Sequence, residues 1–246
     1  MNVATVYSRG LAGLEAPLVR VEAHVGNGLP AFHIVGLPET EVKEARDRVR
    51  AALQTAGYEF PQRRITVSLA PADLPKESGR FDLPIAIGIL AATGQVPSRP
   101  LAALEFAGEL ALSGELRAIR GALAMTFGAQ RDGRAFVIPE CVAAEAALAR
   151  GAAILPARTL ADVCAHLSGA AALPPFQSAA VAAAAPEYAD LADVRGQRGA
   201  RRALEVAAAG AHSLLFCGPP GTGKTMLASR LPGLLPPMRP EEALEA

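Results

Sequence analysis

Gly218-Pro219-Pro220-Gly221-Thr222-Gly223-Lys224-Thr225 matches the pattern G-x-x-x-x-G-K-[ST] at every fixed position. A loop of this kind works only between a strand and a helix. Its glycines permit the positive φ angles that turn successive N–H groups inward as an anion-binding nest, and the following helix adds the partial positive charge of its N-terminus. Both flanks read accordingly. Ser213 to Cys217 is a short apolar run that predicts a strand, and Met226-Leu227-Ala228 opens a helix. Gly218, Pro219, Pro220, Gly221, Thr222, Gly223, Lys224, Thr225 and Met226 are therefore the residues expected around ATP. Lys224 would reach the β- and γ-phosphates, and the Thr225 hydroxyl would coordinate Mg²⁺. The fold class that such a loop demands is α/β.

Upstream, short β-branched segments alternate with helical ones. Val3 to Ser8, Leu18 to Val25, Ala31 to Val35 and Arg64 to Leu69 predict strands. Over Pro38 to Gly57, Val42, Ala45, Val49, Ala52, Leu53 and Ala56 share one helical face, and Gly57 suits the C-terminal cap. Leu83 to Ala92 is almost wholly apolar, so as a helix it must be buried on all sides. Further strands are expected over Glu105 to Leu112, Ala135 to Ile138 and Ala153 to Leu155. Further helices are expected over Gly121 to Gln130, Cys141 to Arg150 and Leu160 to Leu167. Residues 1–168 thus predict one domain. Prolines and alanines over 169–188 predict a semi-rigid linker, and residues 189–246 begin a second domain with a helix from Arg198 to Ala209.

Composition narrows the function classes. Across 246 residues, 24 Lys and Arg balance 24 Asp and Glu, which excludes a globally basic nucleic-acid coat. Aromatics are 4% with no Trp, leaving little for base stacking. No apolar run reaches the ~18–20 residues of a membrane span, and the N-terminus has no signal-peptide pattern. Cys141, Cys164 and Cys217 are scattered, as expected of a reduced cytoplasmic protein, and His24, His33, His166 and His212 lack metal-ligand spacing. Cys217, on the expected strand, should be buried.

Two sets of residues carry a resemblance. Asp193-Val194-Arg195-Gly196-Gln197 together with the phosphate loop is similar to the start of an AAA+ ATPase module, in which the first segment lies over the adenine. Phe32-His33-Ile34-Val35-Gly36-Leu37-Pro38, Glu44-Ala45-Arg46-Asp47-Arg48-Val49-Arg50 and Ala70-Pro71-Ala72-Asp73-Leu74-Pro75-Lys76-Glu77, with Phe81 to Ala86, resemble the ComM/YifB family of magnesium-chelatase-like AAA+ ATPases. The similarity runs over essentially the whole chain. It implies a bacterial cytoplasmic protein that forms a homo-hexameric ring and spends ATP on branched or single-stranded DNA during transformation and recombination. It also implies an α+β N-terminal domain similar to the proteolytic domain of Lon.

Lon-type peptidases use a serine activated by a lysine. In the matching segment, Pro75-Lys76-Glu77-Ser78-Gly79-Arg80-Phe81-Asp82, the nucleophile position falls on Arg80, Phe81 or Asp82. The lysine position falls within Ala122-Leu123-Ala124. A peptidase is therefore not expected. Lys76, Arg80, Arg63 and Arg64 form either a basic surface for DNA or a neighbouring subunit, or ordinary exposed charges near turns; the absence of interleaved aromatics favours the latter.

Only 21 residues follow Thr225, and Glu241 and Glu242 stand too close to the loop, without a preceding strand, to serve as a Walker B pair. The expectation is the front half of a longer ATPase, with residues 190–246 poorly packed by themselves. Two alternatives stay open. One is a metal-insertion ATPase, implied by likeness to the magnesium-chelatase subunit and disfavoured by the Lon-like domain that this subunit lacks. The other is a non-catalytic module with a vestigial loop.

Overall fold

The computed structural model describes residues 2–13, 15–39, 42, 44–74, 76, 78–177, 188–238 and 242. The chain divides into two compact units, residues 1–179 and 180–246.

The first unit is mixed α/β, built on a seven-stranded, mostly parallel sheet. Its strands are β1 (Val3–Arg9), β2 (Leu18–Gly26), β3 (Ala31–Val35), β4 (Arg64–Ala70), β5 (Leu104–Phe106), β8 (Ala135–Pro139) and β9 (Ile154–Ala157), in the order β3-β4-β2-β1-β5-β8-β9. Strand β2 runs against both neighbours, whereas β1, β5, β8 and β9 are parallel, as are β3 and β4. Period-two patterning sets the register. Val19, Val21, Ala23 and Val25 of β2 point inward while Arg20, Glu22 and His24 face solvent. The two-stranded β6 (Glu109–Leu110) and β7 (Leu116–Arg117) form a separate antiparallel ribbon.

The core forms around the helix Asp82–Ala92, in which every residue is buried. It lies on β1 and β2 closely enough that a Cβ at Gly88 would meet the Ala23 Cβ at 3.0 Å. The amphipathic helix Ala45–Thr55 covers it, burying Ala45, Val49, Ala52 and Leu53. Helices Ala122–Arg131, Ala143–Ala146 and Leu160–Ser168 complete the unit. Beside the core, Arg9 (1% exposed) makes a two-pronged ion pair with Glu105 (0% exposed) at 2.7 and 2.8 Å. Arg134 joins at 3.1 Å and stacks over Tyr7 at 4.2 Å, tying β1 to β5.

Several expected boundaries move. The helix expected from Pro38 begins later, because Pro38 bridges to Lys76 and the Glu39 amide donates to the Lys76 carbonyl; Thr40, Glu41 and Lys43 lie outside the described residues. The strand expected over Glu105 to Leu112 is two strands in different sheets. The Ala107 amide still donates to Val137 in β8, but the Gly108 amide turns to Arg80. The helix expected over Cys141 to Arg150 is a 3₁₀ turn (Glu140–Val142) and one α-turn (Ala143–Ala146), followed by turns that end at Gly151 with φ 80°. Of the expected linker, Phe176 donates its amide to Ile154; residues 178–187 lie outside the described residues.

The second unit contains helices Arg198–Gly210, Lys224–Ala228 and Leu231–Leu234. Its core is Leu191, Val194, Leu204 and Leu227, with Ala200, Phe216, Leu231 and Leu234 packed against it. The strand expected over Ser213 to Cys217 is not formed: these residues pair in no ladder, Leu215 is 84% exposed, and Cys217 is exposed rather than buried. Among the described residues of this unit there is no strand for it to pair with, and a lone strand has nowhere to place its backbone hydrogen bonds.

Asp82 supplies a test of the core. Burial pushes its carboxyl up to about 6 from the ordinary 3.8, against the lowering effects of the Arg48 guanidinium at 2.6 Å and the Leu110 amide. The folded state therefore holds this proton more tightly than the unfolded chain. Its contribution is full below pH 4 and is lost as pH rises through about 6. Measured against Asp82→Asn by urea denaturation, wild-type stability is expected to fall across that window; a rise would show that the Arg48 pair outweighs burial.

Candidate functional site

The phosphate loop is positioned from both ends by the small core of the second unit. Phe216 precedes the loop, Leu227 follows it, and both pack with Leu204 of the helix Arg198–Gly210. Gly221 and Gly223 have φ angles of 81° and 83°, which an L side chain would resist, and Gly223 caps the helix Lys224–Ala228 in the left-handed conformation. Among the described residues, the N–H groups of Gly221 to Met226 donate to no backbone carbonyl. Such a run of open donors fits an anion. The loop's own polar side chains meanwhile fold onto its carbonyls. The Lys224 ammonium donates to the Gly218 and Pro219 oxygens at 2.8 and 2.7 Å, and the Thr222 hydroxyl donates to Pro219 at 3.0 Å. Thr225 and Met226 are exposed on the first turn of the helix. Open amides, an ammonium and a hydroxyl on the first helical turn are groups that a polyphosphate with a divalent cation would engage.

In the segment before the helix, Asp190 caps the 3₁₀ turn Leu191–Asp193, accepting from the Ala192 amide at 2.8 Å, while Val194 is buried in the small core. Gln197 sits at φ 48°, ψ 37° and donates its side-chain amide to the Thr222 carbonyl at 3.3 Å. Motif spacing does not anticipate this contact.

In the first unit, Lys76 and Arg80 are neither a basic surface nor exposed charges, since they are 0% and 5% exposed. The apolar packing beneath their loop draws them inward. Lys76 donates to the Pro71 carbonyl, and burial lowers its pKa. Arg80 donates to the Ser78 hydroxyl at 2.8 Å. Arg63 and Arg64 are exposed as expected. Pro75 and Glu77 of the same loop lie outside the described residues, as does Glu241; Glu242 is exposed. A serine whose hydroxyl accepts from a guanidinium has no base in that partner to remove its proton.

The histidines stay apart. His24, His33 and His212 are exposed, and His166 accepts the Leu173 amide at 3.1 Å. Among the described residues no group of His, Cys, Asp and Glu could hold a metal ion, and no helix is long and apolar enough to cross a membrane. Cys164 is buried, its thiol pushed up to about 11 by burial.

Comparison with known proteins matches residues 21–141 to the family described as subunit ChlI of Mg-chelatase, and residues 190–246 to that described as magnesium chelatase, subunit ChlI. The whole chain is similar to the competence protein ComM of Haemophilus influenzae, with 53% identity over 249 residues, covering 49% of that protein. It is likewise similar to YifB of Salmonella typhimurium, at 52% identity and 48% coverage, and to YifB of Escherichia coli, at 50% and 48%. The chain spans about half the length of these relatives.

Because Ser78 faces a guanidinium, a serine-directed fluorophosphonate is expected to leave it unmodified. Labelling at Ser78, abolished by Ser78→Ala, would show an activated nucleophile there.

Proposed function

Since the chain belongs to the ComM/YifB family of magnesium-chelatase-like proteins, we propose that its phosphate loop binds Mg-ATP and that the protein acts as an AAA+ ATPase working on DNA. The observation that carries the reading is the run of open amides from Gly221 to Met226 beside an ammonium held only by two loop carbonyls. Nucleotide binding asks little of this loop. The glycine conformations already aim the amides, and Lys224 exchanges the Gly218 and Pro219 oxygens for phosphate oxygens, whose full negative charge makes the stronger partner. The Thr225 hydroxyl holds the magnesium ion. The helix Arg198–Gly210 and the segment 190–197 flank the base. When bound, Mg-ATP supplies the phosphoanhydride whose hydrolysis powers the motor.

The whole protein is proposed to be a cytoplasmic homo-hexameric ring that remodels branched or single-stranded DNA. The domain scheme proposed is a Lon-like domain without peptidase activity over 1–168, a linker over 169–188 and an AAA+ module from 189. Competence, the role in the printed name of the Haemophilus relative, supports DNA as the substrate. A second reading, metal insertion into a porphyrin, is favoured by one observation: both matching families carry the chelatase subunit's description.

For the chain itself, Mg-ATP at a hundredfold excess over its dissociation constant is expected to raise stability by ~2.7 kcal/mol, with no such gain in Lys224→Ala. An unchanged thermal midpoint in wild type would overturn nucleotide binding. For the intact protein, ATP-dependent branch migration of a forked DNA supports the DNA reading. Stimulation of ATP turnover by porphyrin, with forked DNA left unchanged, would replace it with the chelatase reading.

A further inference from the structure

Gln197 combines two features that do not ordinarily occur together. It is a non-glycine residue in the left-handed region, at φ 48° and ψ 37°, directly after Gly196 at φ 74°. Its carboxamide also reaches across 25 residues of sequence to donate to the Thr222 carbonyl at 3.3 Å. A left-handed glutamine costs free energy that glycine or asparagine would spare.

We propose that Gln197 is a positioning residue of the phosphate loop, orienting the Thr222–Gly223 peptide so that the Gly223 amide faces the phosphates. This inference rests on the reading of the loop as a nucleotide cradle. A peptide unit is planar, so anchoring the Thr222 oxygen on one side directs the Gly223 N–H to the opposite side. The other contacts of the loop do not perform this task. The Thr222 hydroxyl binds the Pro219 carbonyl, and the Lys224 ammonium binds the Gly218 and Pro219 carbonyls, at the loop's entrance. The Thr222 carbonyl itself is held from outside the loop, by Gln197. The anchor is in turn fixed by the helix Arg198–Gly210, whose first turn begins with the Arg201 amide donating to the Gln197 carbonyl at 2.9 Å and whose Leu204 is buried in the small core. Gln197 thereby couples the helix to the loop.

The test separates the side chain from the backbone. Asparagine and glycine both tolerate the left-handed conformation better than glutamine. Asparagine is one methylene too short to reach Thr222, and glycine has no side chain. In the full chain, Gln197→Asn and Gln197→Gly are expected to keep the wild-type thermal midpoint or raise it. The ¹⁵N relaxation order parameter of the Gly223 amide should nevertheless fall in the nucleotide-free protein. A fluorescent ADP analogue should bind roughly three- to tenfold more weakly, the worth of one hydrogen bond. A merely structural role would move stability and affinity together. An unchanged order parameter at Gly223 in both variants would overturn the proposal, as would unchanged affinity for the analogue. If wild type fails to bind the analogue, the nucleotide reading fails, while the Gly223 order parameter still reports whether Gln197 holds the loop.

Discussion

A helix with no solvent face has to be surrounded, and Asp82–Ala92 imposes that condition on the first unit. Isoleucine, leucine and alanine on every side leave no polar stripe, so the sheet must close beneath it and the helix Ala45–Thr55 above it. Full burial of one such side chain contributes about 1.5–3 kcal/mol, and this helix buries five of Leu or Ile, at Leu83, Ile85, Ile87, Ile89 and Leu90. The approach to β1 and β2 is possible because position 88 carries no Cβ. The same burial draws in the first polar residue of the helix. Asp82 enters the interior with Arg48 as its partner, and Arg80 and Lys76 follow along the adjoining loop. Charges that look like a surface in the sequence are thus consequences of one apolar element.

The second unit is organised differently. Four buried side chains, at Leu191, Val194, Leu204 and Leu227, hold its described residues, and the segment Ser213 to Cys217 has no described sheet to enter. Its order is local: a rigid helix, a loop stabilised by its own lysine and threonine, and one glutamine joining them. Such a loop keeps its amides open because glycines turn them away from the carbonyls of the loop itself. The ammonium, by contrast, is satisfied by carbonyls that phosphate oxygens can displace. The two kinds of donor are therefore ready for an anion in different ways, the amides by geometry and the lysine by exchange.

Elements with strong periodicity are legible in the amino-acid order itself. Val19, Val21, Ala23 and Val25 alternate, the face from Val42 to Leu53 repeats at helical spacing, and residues 83–92 are too apolar to be anything but enclosed. Boundaries shift where a distant partner decides them. Pro38 is drawn out of its helix by Lys76, and the strand from Glu105 breaks at the amide of Gly108, which turns to Arg80. Nothing near Ser213 in sequence reports whether neighbouring strands exist. Of the candidate site, the loop itself is legible because glycine and lysine spacing is its mechanism. The Gln197 contact is not, because it depends on where two segments 25 residues apart meet.

The central claim is that the amides between Gly221 and Thr225 receive the phosphates of a magnesium-bound nucleotide. Titrating the ¹⁵N-labelled protein with the magnesium complex of a slowly hydrolysed ATP analogue tests it residue by residue. The account requires saturable shifts concentrated on the amides of Gly221, Thr222, Gly223, Lys224 and Thr225. Shifts that never saturate, or that saturate elsewhere while these five amides stay still, would contradict it.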